Sequence, residues 1–359
     1  MTMDKTRVKC YSVADYEKQA ELKITDTAAL GYFNGGTEGT ETLRDNLAAF
    51  SRYKLRPRHM RDISTINTKQ RVLGCDIDFP VVVAPFAFAK MAHPDGEYAV
   101  ARACAGMDTA FTLSSWTSKS IDDVTKESST GVKWLQLYLV KDRRVIVNVV
   151  RKAERHGFKA ILVTIDLKIP SNRLTDKRNQ FTMGNSELLR SPNASIDDTD
   201  QFHLLSLSWD DISWLKSITK LQVAVKGVMT REDAIEAVQH GVDGIVVSNH
   251  GGRALDCVEA SIDALSEIVE AVKHSGVDIL MDSGIRKGTD VIKALALGAK
   301  AVMVGRPIVW GLAVDGENGV KSVLEILKNE LRISMGLCGC QSLSDINQTV
   351  IKKSTSSRL

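Results

Sequence analysis

Gln222-Val223-Ala224-Val225 opens the stretch that decides the fold, because three more short apolar runs follow it, at Gly244 to Val247, Asp278 to Met281 and Ala301 to Val304. Segments with helical periodicity separate these runs, at Arg231 to His240, Ser261 to His274 and Thr289 to Leu297. Strands that are apolar on both faces and alternate with helices are typical of a parallel sheet covered by helices.

Four earlier runs of the same kind extend the pattern outward: Phe79 to Ala84, Ala110 to Leu113, Trp134 to Leu139 and Ala160 to Thr164. Eight such repeats are expected to close into a (βα)8 TIM barrel, an α/β fold. A doubly wound open sheet is the structural alternative. That fold usually carries a glycine-rich fingerprint after its first strand, and Ala84-Pro85-Phe86-Ala87-Phe88 has none.

Residues 1–359 are expected to form a single barrel domain with two additions. The first is an N-terminal helical extension, 1–78, in which residues 12–60 form short helices and Thr40 caps a helix from Glu41 to Phe50. The second is a polar insertion between strands four and five, 167–208, which we expect on the C-terminal face as a lid. A disordered surface loop without a gating role is the alternative.

The composition is that of an ordinary soluble globular protein, with 43% apolar and 25% charged residues. A net charge of +3 on 359 residues, with both signs interspersed, predicts small molecules rather than nucleic acid as partners. No run is long enough to span a membrane. Six cysteines are scattered without the second pair that a zinc site needs, so we expect no metal and reduced thiols.

The last three residues, Ser357, Arg358 and Leu359, form a small-basic-leucine terminus. The peroxisomal import receptor reads tripeptides of this kind, which predicts a peroxisomal location. An accidental frayed tail is the alternative.

Polar residues are expected to gather on one rim of the barrel, since they follow the ends of the predicted strands: Ser114, Gln136, Tyr138, Thr164, Asp166, Lys226, Ser248 to His250, Asp282 and Gly305. So many polar groups on one rim require a ligand. In His250-Gly251-Gly252-Arg253 an imidazole and a guanidinium can converge on one small anion. The alternative is a histidine that caps the strand and a surface arginine.

Two glycine-arginine turns follow strands seven and eight, at Asp282 to Gly288 and at Gly305-Arg306-Pro307. Barrels hold phosphate at this place, because glycines let backbone N–H groups approach an anion at a helix start. Ordinary βα loops are the alternative. Lys226 at the end of strand five is either a buried ammonium beside that ligand or a snorkelling lysine.

Several motifs in one order resemble the FMN-dependent 2-hydroxy-acid oxidases and dehydrogenases, with the peroxisomal glycolate oxidases as the nearest branch. The resemblance runs from about Tyr16 to Lys352. It rests on these segments: Leu113 to Trp116, Leu135 to Tyr138, Lys226-Gly227, Ser248 to Arg253, Arg286 to Asp290, Lys293 to Lys300 and Gly305 to Gly311.

The resemblance implies site residues in three groups. Flavin contacts fall on Ala87, Ser114, Gln136, Thr164 and Lys226, and the flavin phosphate on Asp282, Gly284, Arg286, Gly305 and Arg306. Substrate contacts fall on Tyr32, Trp116, Tyr138, Arg173 and Arg253, with the two tyrosine hydroxyls on the reacting oxygen. The catalytic residues become His250 as the base, Asp166 as its partner carboxylate, and Tyr138 and Tyr32.

The chain departs from the family pattern at four places. Phe86 and Phe88 replace a threonine and a methionine, and Leu30 to Phe33 replaces a more tyrosine-rich run. Asp166 to Pro170 differs from the usual Asp-Thr-Pro, and Ser283 replaces a glycine of the phosphate turn. These departures are expected to bear on substrate choice and cofactor affinity.

The expected function is FMN-dependent oxidation of (S)-2-hydroxy acids, glycolate or longer homologues, to 2-oxo acids. The resemblance implies oxygen as the acceptor, hydrogen peroxide as a product and a homotetramer or octamer. A flavin-dependent isopentenyl diphosphate isomerase is the alternative enzyme, although it needs no arginine pair such as Arg173 and Arg253. A flavin-binding protein without turnover is the alternative from another class.

Overall fold

Eight parallel strands form a closed barrel in the computed structural model, which describes residues 9–182 and 208–354. The strands of the chain are β1 Tyr53–Leu55, β2 Gln70–Val72, β3 Cys75–Ile77, β4 Val81–Val83, β5 Ala110–Leu113, β6 Val132–Leu137, β7 Ala160–Thr164, β8 Gln222–Val228, β9 Gly244–Val247, β10 Asp278–Met281, β11 Ala301–Val304 and β12 Ile351–Lys353. Strands β4 to β11 follow one another around the barrel, and β11 pairs with β4. The predicted TIM barrel is confirmed, and the open sheet is wrong.

The helices surround this barrel. In chain order they are α1 Val13–Lys23, α2 Thr27–Asn34, α3 Glu41–Ala48, α4 Glu97–Gly106, α5 Ile121–Glu127, α6 Arg143–Arg155, α7 Leu174–Arg178, α8 Trp209–Ile218, α9 Arg231–Gln239, α10 Ser261–Val272, α11 Gly288–Ala296 and α12 Arg306–Cys338. Helix α12 is kinked, because Asp315 and Gly316 leave helical geometry. No helix in the described ranges combines the length and the apolar character that a membrane crossing requires.

The strands are buried on both faces because alternate residues enter two different cores. Val82, Val246 and Leu280 belong to a cluster inside the barrel, whereas Val81 and Val83 pack outward beneath the helices. The hairpin of β2 and β3 joins the inner cluster through buried residues. This double burial explains why the strands are nearly continuous apolar runs in the sequence.

Six of the eight barrel strands begin where the sequence predicts. Strand β6 starts two residues earlier than expected, at Val132, and β4 is shorter than the apolar run that contains it. Strand β8 extends to Val228, and its pairing with β9 shifts between Lys226 and Val228. Gly227 lies at this irregularity with φ +117°, a conformation that only glycine adopts readily.

A 3-10 helix, Ala49–Arg52, follows α3 and is the last helical element of the N-terminal extension, so the prediction of helices as far as residue 60 is wrong. Strand β1 pairs antiparallel with β12 near the C-terminus, an interaction that local periodicity cannot reveal. Thr40 precedes α3 as predicted, but its left-handed backbone, φ +61°, gives no side-chain cap. The carboxylate of Asp256 caps the helix instead and accepts from the backbone N–H of Thr42 at 2.8 Å.

The insertion after β7 is described as far as residue 182, and 183–207 lie outside the described residues. Its described part contains α7 and contributes Leu167, Pro170 and Phe181 to the rim of the barrel cavity. A lid role for 167–208 therefore stays a prediction. The predicted import tripeptide, 357–359, also lies outside the described part of the chain.

Candidate active site

A cavity of about 430 Å³ opens at the C-terminal ends of the barrel strands. The structure brings sixteen of the seventeen predicted site residues to its wall: Tyr32, Ala87, Ser114, Trp116, Gln136, Tyr138, Thr164, Arg173, Lys226, His250, Arg253, Asp282, Gly284, Arg286, Gly305 and Arg306. Asp166, the seventeenth, lies behind His250 and reaches the cavity through it. The end of a parallel barrel thus collects residues from both halves of the chain at one place.

His250 and Asp166 form a hydrogen-bonded pair, with Nδ1 of the imidazole 2.9 Å from Oδ1 of the carboxylate. The side chain of Asp166 is 10% exposed and that of His250 is 21% exposed. Because the pair occupies Nδ1, Nε2 is the ring nitrogen left to exchange a proton. His250 is therefore more than a strand cap, which was the alternative.

The electrostatics of the pair favour a neutral imidazole beside a charged carboxylate. Burial lowers the pKa of His250, Asp166 opposes this shift, and the positive charges of Lys226 and Arg173 reinforce it. Burial alone would raise the pKa of Asp166, but His250 and Lys226 outweigh it and hold that pKa below its ordinary value. A neutral histidine with a carboxylate partner can accept a proton near neutral pH.

Gly227 makes room for Asp166. A β-carbon at position 227 would lie 2.6 Å from Cβ of Asp166, closer than atoms in contact can come. Oδ2 of Asp166 is buried without a hydrogen-bond partner among the described residues. Close packing against Asp166 thus explains why position 227 of the Lys226-Gly227 motif is a glycine.

Lys226 is a buried ammonium and not a snorkelling lysine. Its Nζ lies 2.9 Å from Oδ2 of Asp282 and donates to Oγ of Ser248 at 2.9 Å, and its side chain is 4% exposed. Burial would lower the pKa of Lys226, yet Asp282 and Asp166 outweigh this effect and raise it. The cavity wall therefore contains a lysine that stays protonated, paired with Asp282.

Arg173 and Arg253 place two cations on the wall of the cavity. The guanidinium of Arg253 lies 4.7 Å from the centre of the Tyr32 ring and donates to the carbonyl oxygens of Tyr32 and Gly35. Burial, and then repulsion by Arg173, lowers the pKa of Arg253 to about 10. Two desolvated cations that repel each other form a site for a carboxylate.

Asp176 is a site residue that the sequence reasoning missed. It lines the cavity, its Oδ2 lies 3.9 Å from Nη1 of Arg173, and its Oδ1 is buried without a partner in the described ranges. Burial raises the pKa of Asp176, and the two arginines oppose that rise. The spacing Arg173-x-x-Asp176 on a short helix is the signal that could have revealed it.

Arg286 and Arg306 provide a second pair of buried cations. Arg306 donates to the carbonyl oxygens of Phe33, Gly251 and Gly35, at distances of 2.7 to 3.0 Å. Burial is the main reason that the pKa of Arg286 falls to about 10 and that of Arg306 well below its ordinary value.

Neither of these two arginines forms an ion pair with a carboxylate of the described residues. Arg306 is also the first residue of α12, so its guanidinium group belongs to a helix N-terminus. Buried cations without an anion at a helix N-terminus fit a phosphate. The residues present therefore fit the monophosphate of a flavin mononucleotide.

Three polar side chains line the cavity as a connected group. Oε1 of Gln136 accepts from Oγ of Ser114 at 3.3 Å, and its Nε2 donates to Oγ1 of Thr164 at 3.0 Å. Ala87 lies on the same wall. Amide and hydroxyl groups of this kind can meet the polar edge of a heteroaromatic ring.

Four aromatic rings form an aromatic wall, defined by Tyr32, Phe88, Trp116 and Phe181. Tyr32 stacks on Phe181 with ring centres 4.5 Å apart, and Phe88 lies 5.9 to 6.4 Å from the other three rings. Phe181 was not predicted as a site residue, since it lies in the polar insertion. The wall gives the cavity one apolar side.

A family described as FMN-dependent dehydrogenase matches residues 22–353 of the chain. The chain belongs to the FMN-dependent dehydrogenase family. As a member it is an oxidoreductase that uses FMN, in agreement with the predicted cofactor.

The relatives cover nearly the whole chain. It is 46% identical to 2-hydroxyacid oxidase 1 of Mus musculus, with 95% of this chain and 96% of that protein covered. It is 43% identical to the glycolate oxidase of Spinacia oleracea, with 95% of each covered. A crystal structure of mandelate oxidase is similar with a TM-score of 0.88 and 36% identity, over 97% of this chain and all of that one. The predicted family is thus confirmed.

Among the residues that the structure describes, no group of histidines, cysteines and carboxylates is suited to a metal ion.

Proposed function

We propose that this protein oxidises (S)-2-hydroxy acids to 2-oxo acids, with FMN as cofactor and molecular oxygen as the final acceptor, which becomes hydrogen peroxide. The observation that supports it most directly is the His250–Asp166 pair on the same cavity as two separate arginine pairs. One pair matches a substrate carboxylate and the other a cofactor phosphate. The relatives named 2-hydroxyacid oxidase and glycolate oxidase support the same activity.

Substrate binding is assigned to Arg173 and Arg253, whose guanidinium groups hold the carboxylate. Tyr32 and Tyr138 direct their hydroxyl groups to the oxygen at carbon 2, and Trp116 completes the pocket. Burial, followed by the negative charge of Asp166, raises the pKa of Tyr138, so its hydroxyl keeps the proton that it donates. The arrangement fixes one face of the acid toward His250.

Proton transfer is assigned to Nε2 of His250, which takes a proton from the hydroxyl or from carbon 2 of the bound acid. Asp166 holds the imidazole through Nδ1 and stabilises the imidazolium that forms. FMN, when bound, accepts the two electrons that leave the substrate. Lys226 supplies a fixed positive charge that favours the reduced, anionic cofactor.

The cofactor is assigned to two sets of residues. Arg286 and Arg306 hold the phosphate together with the backbone of the turns at Asp282, Gly284 and Gly305. The polar group of Gln136, Ser114 and Thr164, with Ala87 and Lys226, holds the ring system.

The aromatic wall favours 2-hydroxy acids with an apolar side chain over glycolate as substrates. Burial of each methylene group against it contributes about 0.8 kcal/mol, which glycolate cannot gain.

Anaerobic mixing with a panel of acids tests the activity, because a substrate bleaches the flavin absorbance and oxygen then restores it with release of peroxide. An isopentenyl diphosphate isomerase would leave the flavin oxidised by every 2-hydroxy acid. A flavin-binding protein without turnover would give no peroxide.

We also propose that the protein acts in peroxisomes as a homotetramer or octamer and is imported through Ser357, Arg358 and Leu359. Hydrogen peroxide as a product supports that location. Light scattering of the purified protein tests the assembly.

A further inference from the structure

Ser283 adopts a backbone conformation that is unusual for a residue with a side chain. Its φ is +77°, in the left-handed region that favours glycine. It follows Asp282 in the turn after β10 and lines the cavity. A strained residue at an active site needs interactions that hold it there.

The hydroxyl group of Ser283 makes two hydrogen bonds. Oγ accepts from the backbone N–H of Gly251 at 3.0 Å and donates to Oδ1 of Asp282 at 2.9 Å. The first bond crosses from the turn after β10 to the loop after β9. A glycine at position 283 could make neither.

These bonds close a ring of polar contacts. Oδ2 of Asp282 pairs with Nζ of Lys226 at 2.9 Å, and Nζ donates to Oγ of Ser248 at 2.9 Å. The same Oγ accepts from the backbone N–H of His250 at 3.1 Å. The ring thus bonds the backbone N–H of His250 through Ser248 and the backbone N–H of Gly251 through Ser283, and Ser283 is the member that closes it.

The loop at His250 depends on such external bonds, because three consecutive residues, His250, Gly251 and Gly252, all have positive φ values. Arg253, in contrast, is held separately by carbonyl oxygens of the N-terminal segment. The ring therefore restrains the histidine more than the substrate-binding arginine.

We propose that Ser283 is a positioning residue, whose hydroxyl closes this ring and fixes the His250 loop to the Lys226–Asp282 pair. It acts through the backbone of the base and not on the substrate itself. The inference rests on the proposed function for its rate measurement only, since the bonds of the ring are a property of the folded chain.

Ser283→Ala and Ser283→Gly test this role together. Both remove the hydroxyl, but glycine also relieves the backbone strain, so the glycine variant is expected to melt at a higher temperature than the alanine variant. Both should lower the limiting rate of anaerobic flavin reduction about fivefold, the effect of losing the one bond that ties the His250 loop, from the N–H of Gly251, while the dissociation constant of the substrate stays unchanged. FMN affinity of the apoprotein, followed by quenching of flavin fluorescence, should also stay unchanged.

Ser334→Ala is the matched control. Its Oγ bonds to the carbonyl oxygen of Glu330 within α12 at 2.7 Å, away from the cavity, so the reduction rate should not change. A glycine variant that is both more stable and as fast as the parent would overturn the proposal, since strain alone would then explain the serine. Loss of FMN binding in both variants would also overturn it, because the serine would then serve the phosphate turn.

The failure of the proposed function has a different signature. In that case the parent protein itself would leave its flavin oxidised by every 2-hydroxy acid, whatever residue stands at position 283.

Discussion

Nδ1 of His250 lies 2.9 Å from Oδ1 of Asp166, although 84 residues separate the two in the chain. The barrel makes this contact possible, since β7 and β9 both end at the same rim. The pair leaves Nε2 of the histidine for chemistry. Its environment sets the pH at which that nitrogen can work.

The rate of flavin reduction should rise with pH through a pKa below the ordinary 6.5 of histidine and then level off. The base must be neutral, and burial, Lys226 and Arg173 lower its pKa. A pH profile of the anaerobic reduction rate measures it. A rise centred well above that value would contradict the assigned electrostatics.

Asp166→Ala should shift this profile to lower pH and lower its plateau. The carboxylate raises the pKa of His250, so its loss removes that opposition, and the imidazolium also loses its counter-charge. The same stopped-flow profile checks both effects. A shift toward higher pH would show that Asp166 does not face the base.

Arg253→Lys should weaken substrate binding about tenfold and leave the limiting reduction rate less affected. Lysine keeps the charge, but a point charge replaces the planar fork that matches a carboxylate. Substrate titrations give the dissociation constant. Arg144→Lys is the control, since Arg144 is largely exposed and pairs with the neighbouring Asp142. An unchanged dissociation constant would exclude Arg253 from the substrate site.

Phe88→Met should lower kcat/KM for an acid with an aromatic side chain, such as phenyllactate, about fivefold relative to glycolate. The variant removes one ring from the aromatic wall, and ring pairs contribute of order 1 kcal/mol. Glycolate is the internal control, because it has no side chain to contact the wall. Equal losses for both acids would show a general disturbance of the cavity.

Deletion of Ser357 to Leu359 should move the protein from peroxisomes to the cytosol without altering its melting temperature. The tripeptide follows β12, the last strand of the described residues. Fluorescence microscopy of the tagged chain and a thermal melt check the two parts. Peroxisomal import of the shortened chain would contradict the proposed address.

The barrel was predictable from the sequence because its strands are short, nearly continuous apolar runs. The runs are apolar because each strand is buried on both faces. His250 and the two glycine-arginine turns were predictable because they follow strand ends directly. Local sequence could not reveal contacts between distant segments. Asp256 caps a helix that starts at Glu41, and Ser283 bonds to the loop at Gly251.

Phe181 shows a second limit. It lies in an insertion that is polar overall, so composition assigns it to a surface loop, yet its ring stacks on Tyr32 inside the cavity. The resemblance to a family implied most of the proposed site residues. The structure added Asp176, Phe181 and Ser283, which line the same cavity.

Anaerobic stopped-flow reduction of the His250→Gln variant tests the central claim most directly. Glutamine is similar in size and can form hydrogen bonds, so the variant should keep its yellow cofactor, but it cannot accept a proton near neutral pH. A missing general base lowers the rate about 10²- to 10⁴-fold, and we expect a loss in this range. If the glutamine variant reduces its flavin as fast as the parent protein, His250 is not the base and the proposed assignment of the site is wrong.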